Sequence, residues 1–103
     1  MIRQISPKEL AELIAKGTLL ADVRSPMERE VAKIEGGRLL DDAFYDELVA
    51  LDRATPIAFH CHHGMRSQAA AEHFEQLGFT ELYNLAGGID AWSVEIDPTV
   101  RRY

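Results

Sequence analysis

Short apolar runs alternate along the chain with amphipathic stretches, and this rhythm most restricts what the chain can fold into. Ile2 to Ile5, Thr18 to Val23, Arg38 to Leu40, Pro56 to Cys61 and Leu82 to Leu85 all have strand length. The segments between them carry apolar residues at helical spacing, such as Leu10, Leu13 and Ile14, or Ala70, Phe74 and Leu77. Strands that alternate with helices predict an α/β fold around a mostly parallel sheet. The right-handed crossover rule then restricts the topology.

The boundaries of these segments carry their own signals. Ser6-Pro7-Lys8-Glu9 and Ser25-Pro26-Met27-Glu28 each place a serine cap, a first-turn proline and a glutamate at the capping-box position. Gly17 ends the first helix and Gly78 ends a helix expected from about Ser67 to Leu77. Ala43 to Leu51 reads as helical, with Phe44, Leu48 and Leu51 on one face. Gly87-Gly88 precedes a last helical turn or two with Ile89 and Trp92, and Pro98 begins the tail. A chain of 103 residues is expected to form one domain, residues 1–103.

Composition removes several function classes. The chain carries 17 acidic and 11 basic side chains, a net charge of −6, with no Lys/Arg cluster. Nucleic-acid binding needs a basic face to displace counterions, so none is expected. No apolar run approaches the roughly 20 residues that span a bilayer, so no membrane partner is expected either. The N-terminal residues lack the basic-then-apolar order of a secretory signal, and a cytoplasmic location is the expectation. Any site for an anion must be local, built from backbone amides and a few basic residues.

Cys61 is the sole cysteine, which excludes an internal disulfide and a Cys-rich zinc site. A lone thiol is either a small buried hydrophobe or a nucleophile. Its surroundings separate the two. Cys61 closes a strand, Gly64 lies between it and Arg66, and a helix follows. A helix N-terminus offers unpaired amides and partial positive charge, which favour a thiolate. Gly64 permits backbone angles that curl the loop and turn its amides inward. Arg66 adds a planar cation suited to oxyanions. His60, His62 and His63 flank the thiol, but adjacent residues point in different directions and no second ligand cluster completes a metal site. No metal or cofactor is expected. Asp22 and Arg24 stand at a strand end, where α/β folds place functional groups.

Three motifs together carry a family resemblance. Cys61-His62-His63-Gly64-Met65-Arg66-Ser67 resembles the C-x-x-G-x-R-S loop of single-domain rhodaneses. Asp22-Val23-Arg24 with Glu28 is similar to the family's D-V-R-x-x-x-E signature, and Leu85 to Trp92 to its L-x-G-G-x-x-x-W closing motif. The resemblance implies a three-layer rhodanese-like domain with a central parallel sheet of about four or five strands and helices on both faces. It implies a sulfurtransferase in which Cys61 is the nucleophile and carries a persulfide. The loop of His62, His63, Gly64, Met65 and Arg66 would hold the anion, with Asp22, Arg24 and Ser67 in support. The implied partners are a small anionic sulfur donor such as thiosulfate and a thiol, protein or cyanide acceptor. The family's phosphatase relatives use a loop one residue longer, so the spacing from Cys61 to Arg66 matches the sulfur-handling kind. A cysteine-dependent phosphatase or arsenate reductase, or a sulfur carrier without turnover, are the alternatives. The chain departs from the family at Lys33, where many members have histidine. It departs again at His62 and His63, where thiosulfate-preferring members often have Arg or Lys.

Overall fold

Strands and helices alternate strictly from one end of the chain to the other. The computed structural model describes residues 1–103. In order these are β1 (Ile2–Ile5), α1 (Pro7–Ala15), β2 (Leu19–Asp22), α2 (Pro26–Val31), β3 (Gly37–Leu39), α3 (Asp42–Val49), β4 (Ile57–His60), α4 (Met65–Gln76), β5 (Leu82–Leu85) and α5 (Gly88–Glu95). Both capping boxes form: Ser6 and Ser25 side chains accept the amides of Glu9 and Glu28, whose carboxylates accept the serine amides in return. Each box satisfies backbone donors that a helix start leaves without intrahelical partners.

The five strands form one parallel sheet in the order β1-β5-β4-β2-β3. Every residue of β4 and β5 is buried, because helices cover both faces of the sheet. Side chains alternate between two cores with the strand period of two. Leu20, Ala58, Tyr83 and Leu85 pack with Leu10 of α1 and Ile89 and Trp92 of α5. Ala21, Ile57, Phe59 and Leu82 pack on the other side with Phe44 and Leu48 of α3 and Ala71 and Phe74 of α4. No helix is long and apolar enough to cross a membrane.

Two helix starts differ from the sequence expectation. α3 begins at Asp42, because Asp41 caps it by accepting the Phe44 amide at 2.8 Å. α4 begins at Met65 rather than near Ser67, because Gly64 adopts a φ of 104° and turns the chain directly into the helix. The second difference shortens the loop after Cys61 and brings the first turn of α4 up to the sulfur.

Phe74 is 1% exposed and meets Phe59, Phe79 and Tyr45 at ring separations of 5.3 to 5.6 Å. Phe74→Ala is expected to lower stability by about 3–5 kcal/mol, the usual cost of an aromatic deleted from a packed core. Urea unfolding of the two proteins measures it, and a loss below about 1 kcal/mol would contradict this packing.

Candidate active site

The loop after β4 is shaped by its contacts with the loop after β5. The carbonyls of Cys61 and His62 accept the amides of Ile89 and Asp90 at the start of α5, at 2.9 and 3.3 Å. In a trans peptide the C=O and N–H point opposite ways, so carbonyls drawn outward leave the next amides facing inward. Two glycines permit the approach. A β-carbon on Gly64 would lie 2.2 Å from the Ala86 carbonyl oxygen, and one on Gly88 would lie 2.2 Å from the His62 carbonyl oxygen. Both glycines also have positive φ, 104° and 63°, which side chains disfavour.

The Cys61 sulfur sits inside this curl. It accepts from the Gly64 amide at 3.1 Å, the Ser67 amide at 3.4 Å and the Ser67 hydroxyl at 3.4 Å. Burial by itself raises the thiol pKa. The Ser67 hydroxyl and the amides of Ser67, Gly64 and His63 outweigh that and hold it below its ordinary value. Cys61 is only 1% exposed. It nevertheless lines an open depression of about 300 Å³ with His62, His63, Met65 and Arg66. The amides of Met65 and Arg66 belong to the first turn of α4 and have no intrahelical acceptor.

The remaining candidates form the walls and footing of this depression. Met65 stands exposed at the rim. Arg66 lies along Glu28 rather than on the sulfur, in a two-pronged pair at 2.7 and 2.9 Å. That pairing moves both groups further toward their charged forms: Arg66 holds the Glu28 pKa far below the carboxylate range, and Glu28 raises that of Arg66. His62 and His63 stack at 4.0 Å. Asp22 and Arg24 lie beneath, fully buried and joined by two 2.7 Å bonds. Arg24 also donates to the Ala32 carbonyl at 2.7 Å, tying the end of β2 to α2. Lys33, at the family's histidine position, falls in the segment between α2 and β3, on a second surface depression lined also by Arg29 and Val31. No group of three or more His, Cys, Asp or Glu side chains is arranged to hold a metal ion.

Several residues that shape the site escape a reading by motif. Asn84 accepts the Ser67 hydroxyl at 2.6 Å and donates to the Gly64 carbonyl at 3.1 Å, so it positions two groups that reach the sulfur. Its signal in the sequence is a lone amide inside the apolar run Leu82 to Leu85. Arg29 adds a third bond to Asp22 at 3.0 Å. His60, 0% exposed, points a ring nitrogen at Asp22 from 3.7 Å. Burial holds its pKa down to about 4, although the Asp22 charge pulls the other way. Tyr103, from the tail, reaches His62, Arg24 and Glu28.

Residues 6–95 match the rhodanese-like domain family. The thiosulfate sulfurtransferase GlpE of Ectopseudomonas mendocina is 35% identical over 91 residues, which cover 87% of this chain and 84% of that one. A solved structure of a rhodanese-related protein from Thermoplasma volcanium is 32% identical, with a TM-score of 0.76 covering 98% of this chain and 99% of that one. The human single-domain sulfurtransferase TSTD1 is 26% identical, with a TM-score of 0.74 covering 89% of this chain and 96% of that one.

Two outcomes follow from the site. Ser67→Ala removes a donor that favours the ionised form of the sulfur, so the thiol pKa rises and the pH profile of iodoacetamide alkylation moves to higher pH. An unmoved profile would remove Ser67 from the site. For His60, the unfolded chain binds a proton below about 6.5 and the folded chain only below about 4. Between these values the unfolded state holds more protons, so stability is lost as pH falls through that window. Urea midpoints at pH 7 and pH 4.5 should diverge in the wild type and diverge less in His60→Gln; equal divergence would exclude His60 as the source.

Proposed function

Because the chain belongs to the rhodanese-like domain family, we propose that it is a sulfurtransferase carrying a sulfane sulfur on Cys61. The observation that supports this most is the convergence of hydrogen-bond donors on one thiol at the start of α4. Those donors favour the thiolate, the form that attacks. In the first half-reaction the thiolate attacks the outer sulfur of thiosulfate. A new S–S bond forms, the old one breaks, and sulfite leaves with the electron pair. Cys61 is then a persulfide whose outer sulfur bears the negative charge. The free amides of Met65 and Arg66 lie where the positive end of the helix can stabilise that charge.

In the second half-reaction an acceptor thiolate, or cyanide, attacks the outer sulfur. The S–S bond to Cys61 breaks and the thiolate is regenerated with its electron pair. The product is a persulfide of the acceptor, or thiocyanate. Arg66 offers a cation at the mouth, but Glu28 already holds it at 2.7 Å. An arriving anion therefore competes with a carboxylate for the guanidinium. This fits a site in which amides, more than side-chain charge, hold the transferred sulfur. Residues 1–103 act as one domain in this reading, and the cytoplasm is its setting.

Intact-mass spectrometry after brief thiosulfate treatment tests the proposal. The wild type should gain the mass of one sulfur atom, lose it on addition of cyanide, and release thiocyanate. Cys61→Ser should gain nothing. A wild type that stays unmodified, or a Cys61→Ser protein that takes up sulfur, would sink this reading.

A further inference from the structure

The tail beyond α5 turns back toward the cysteine. Asp97 accepts the amide and hydroxyl of Thr99, and Ser93 donates to the Val100 carbonyl. Val100 packs on the core that contains Trp92. Arg102 pairs with Asp90, in the first turn of α5, at 3.0 Å. The segment thus runs back along α5 from its C-terminal end to the end where the Cys61 loop lies.

There Tyr103 contacts His62, which lines the depression, and two groups beside it, Arg24 and Glu28. Its ring stacks on His62 at 4.0 Å with 10° between planes, and the other face of His62 carries His63. Its hydroxyl accepts from Arg24 at 3.0 Å and donates to Glu28 at 2.8 Å. Glu28 in turn holds Arg66. One side chain, 40% exposed, therefore bridges the His62 wall and the start of α2, and through Glu28 it steadies the Arg66 wall.

We propose that Tyr103 is a positioning residue that sets the size selectivity of the Cys61 site: its ring holds His62 and its hydroxyl holds Glu28, and with it Arg66, so that His62 and Arg66 are fixed walls, small reagents reach the sulfur and bulky ones are turned away. Aromatic stacking on one side and two hydrogen bonds on the other resist displacement of the ring. The choice among sulfur donors rests on the sulfurtransferase reading; the access of the sulfur does not.

The test compares alkylation of Cys61 by iodoacetamide and by N-(pyrenyl)maleimide in the wild type, Tyr103→Phe and Tyr103→Ala, with the thiol pKa measured in each. Tyr103→Ala should raise the bulky-to-small rate ratio about tenfold, within the range a change of pocket shape produces. Tyr103→Phe, which keeps the stacking on His62 but loses both hydroxyl bonds, should show a ratio between those of the wild type and Tyr103→Ala. An unchanged ratio in Tyr103→Ala, an equal gain with both reagents, or a Phe variant that behaves like Ala would overturn the proposal. Tyr103→Leu provides a second truncation should the Ala protein fold poorly. Donor preference between thiosulfate and an aryl thiosulfonate should shift the same way. A wild type that forms no persulfide would instead sink the sulfurtransferase reading, while the alkylation ratio would still decide the role of Tyr103.

Discussion

The site depends on two loops pressed together closely enough that only glycine fits at the crossing points. Gly64 meets the Ala86 carbonyl and Gly88 meets the His62 carbonyl, each where a β-carbon would sit 2.2 Å from oxygen. This approach lets α5 take the outward carbonyls of Cys61 and His62, which leaves the inner side of the loop lined with N–H groups. A thiolate buried without such donors would be costly, and the group would stay protonated. Here amides and one hydroxyl reverse that balance, and the pKa falls despite burial. The donors that lower it are the Ser67 hydroxyl and three backbone amides.

Beneath the loop, a buried ion pair supplies the footing. Asp22 and Arg24 have no exposed side-chain surface, and a buried pair of this kind is seldom a net source of stability. Its geometry still has a use. Arg24 spends its remaining donors on the Ala32 and Glu28 carbonyls and on Tyr103, fixing α2 and the tail relative to the end of β2. Glu28 reaches Arg66 at 2.7 Å, and its capping box with Ser25 holds it at that place. The charges at the mouth largely cancel. In a chain that is acidic overall, the depression at Cys61 thus sets peptide N–H groups beside a guanidinium already held by a carboxylate.

Much of this was legible from residue types at short spacing. Ser-Pro-x-Glu starts two helices, apolar runs mark the strands, and a lone cysteine stands between a strand and a helix. The boundaries were less accessible. The early start of α4 depends on the backbone angle of Gly64, which the Ala86 carbonyl enforces from another loop. Asn84 was visible as an oddity in an apolar strand, but its link to Ser67 and Gly64 needs the pairing of β4 with β5.

By itself, then, the sequence determined the alternation of strands and helices, the two capped helix starts and the identity of the single thiol. Those features rest on interactions spanning a few residues, which residue type and spacing suffice to encode. The tertiary structure alone decided that Arg66 lies on Glu28, 38 positions away, and that Tyr103 reaches Glu28 across 75 positions. Such contacts exist only after the sheet has set its strand order. Until then, nothing in the local chain chooses which carboxylate an arginine meets or which surface a tail crosses.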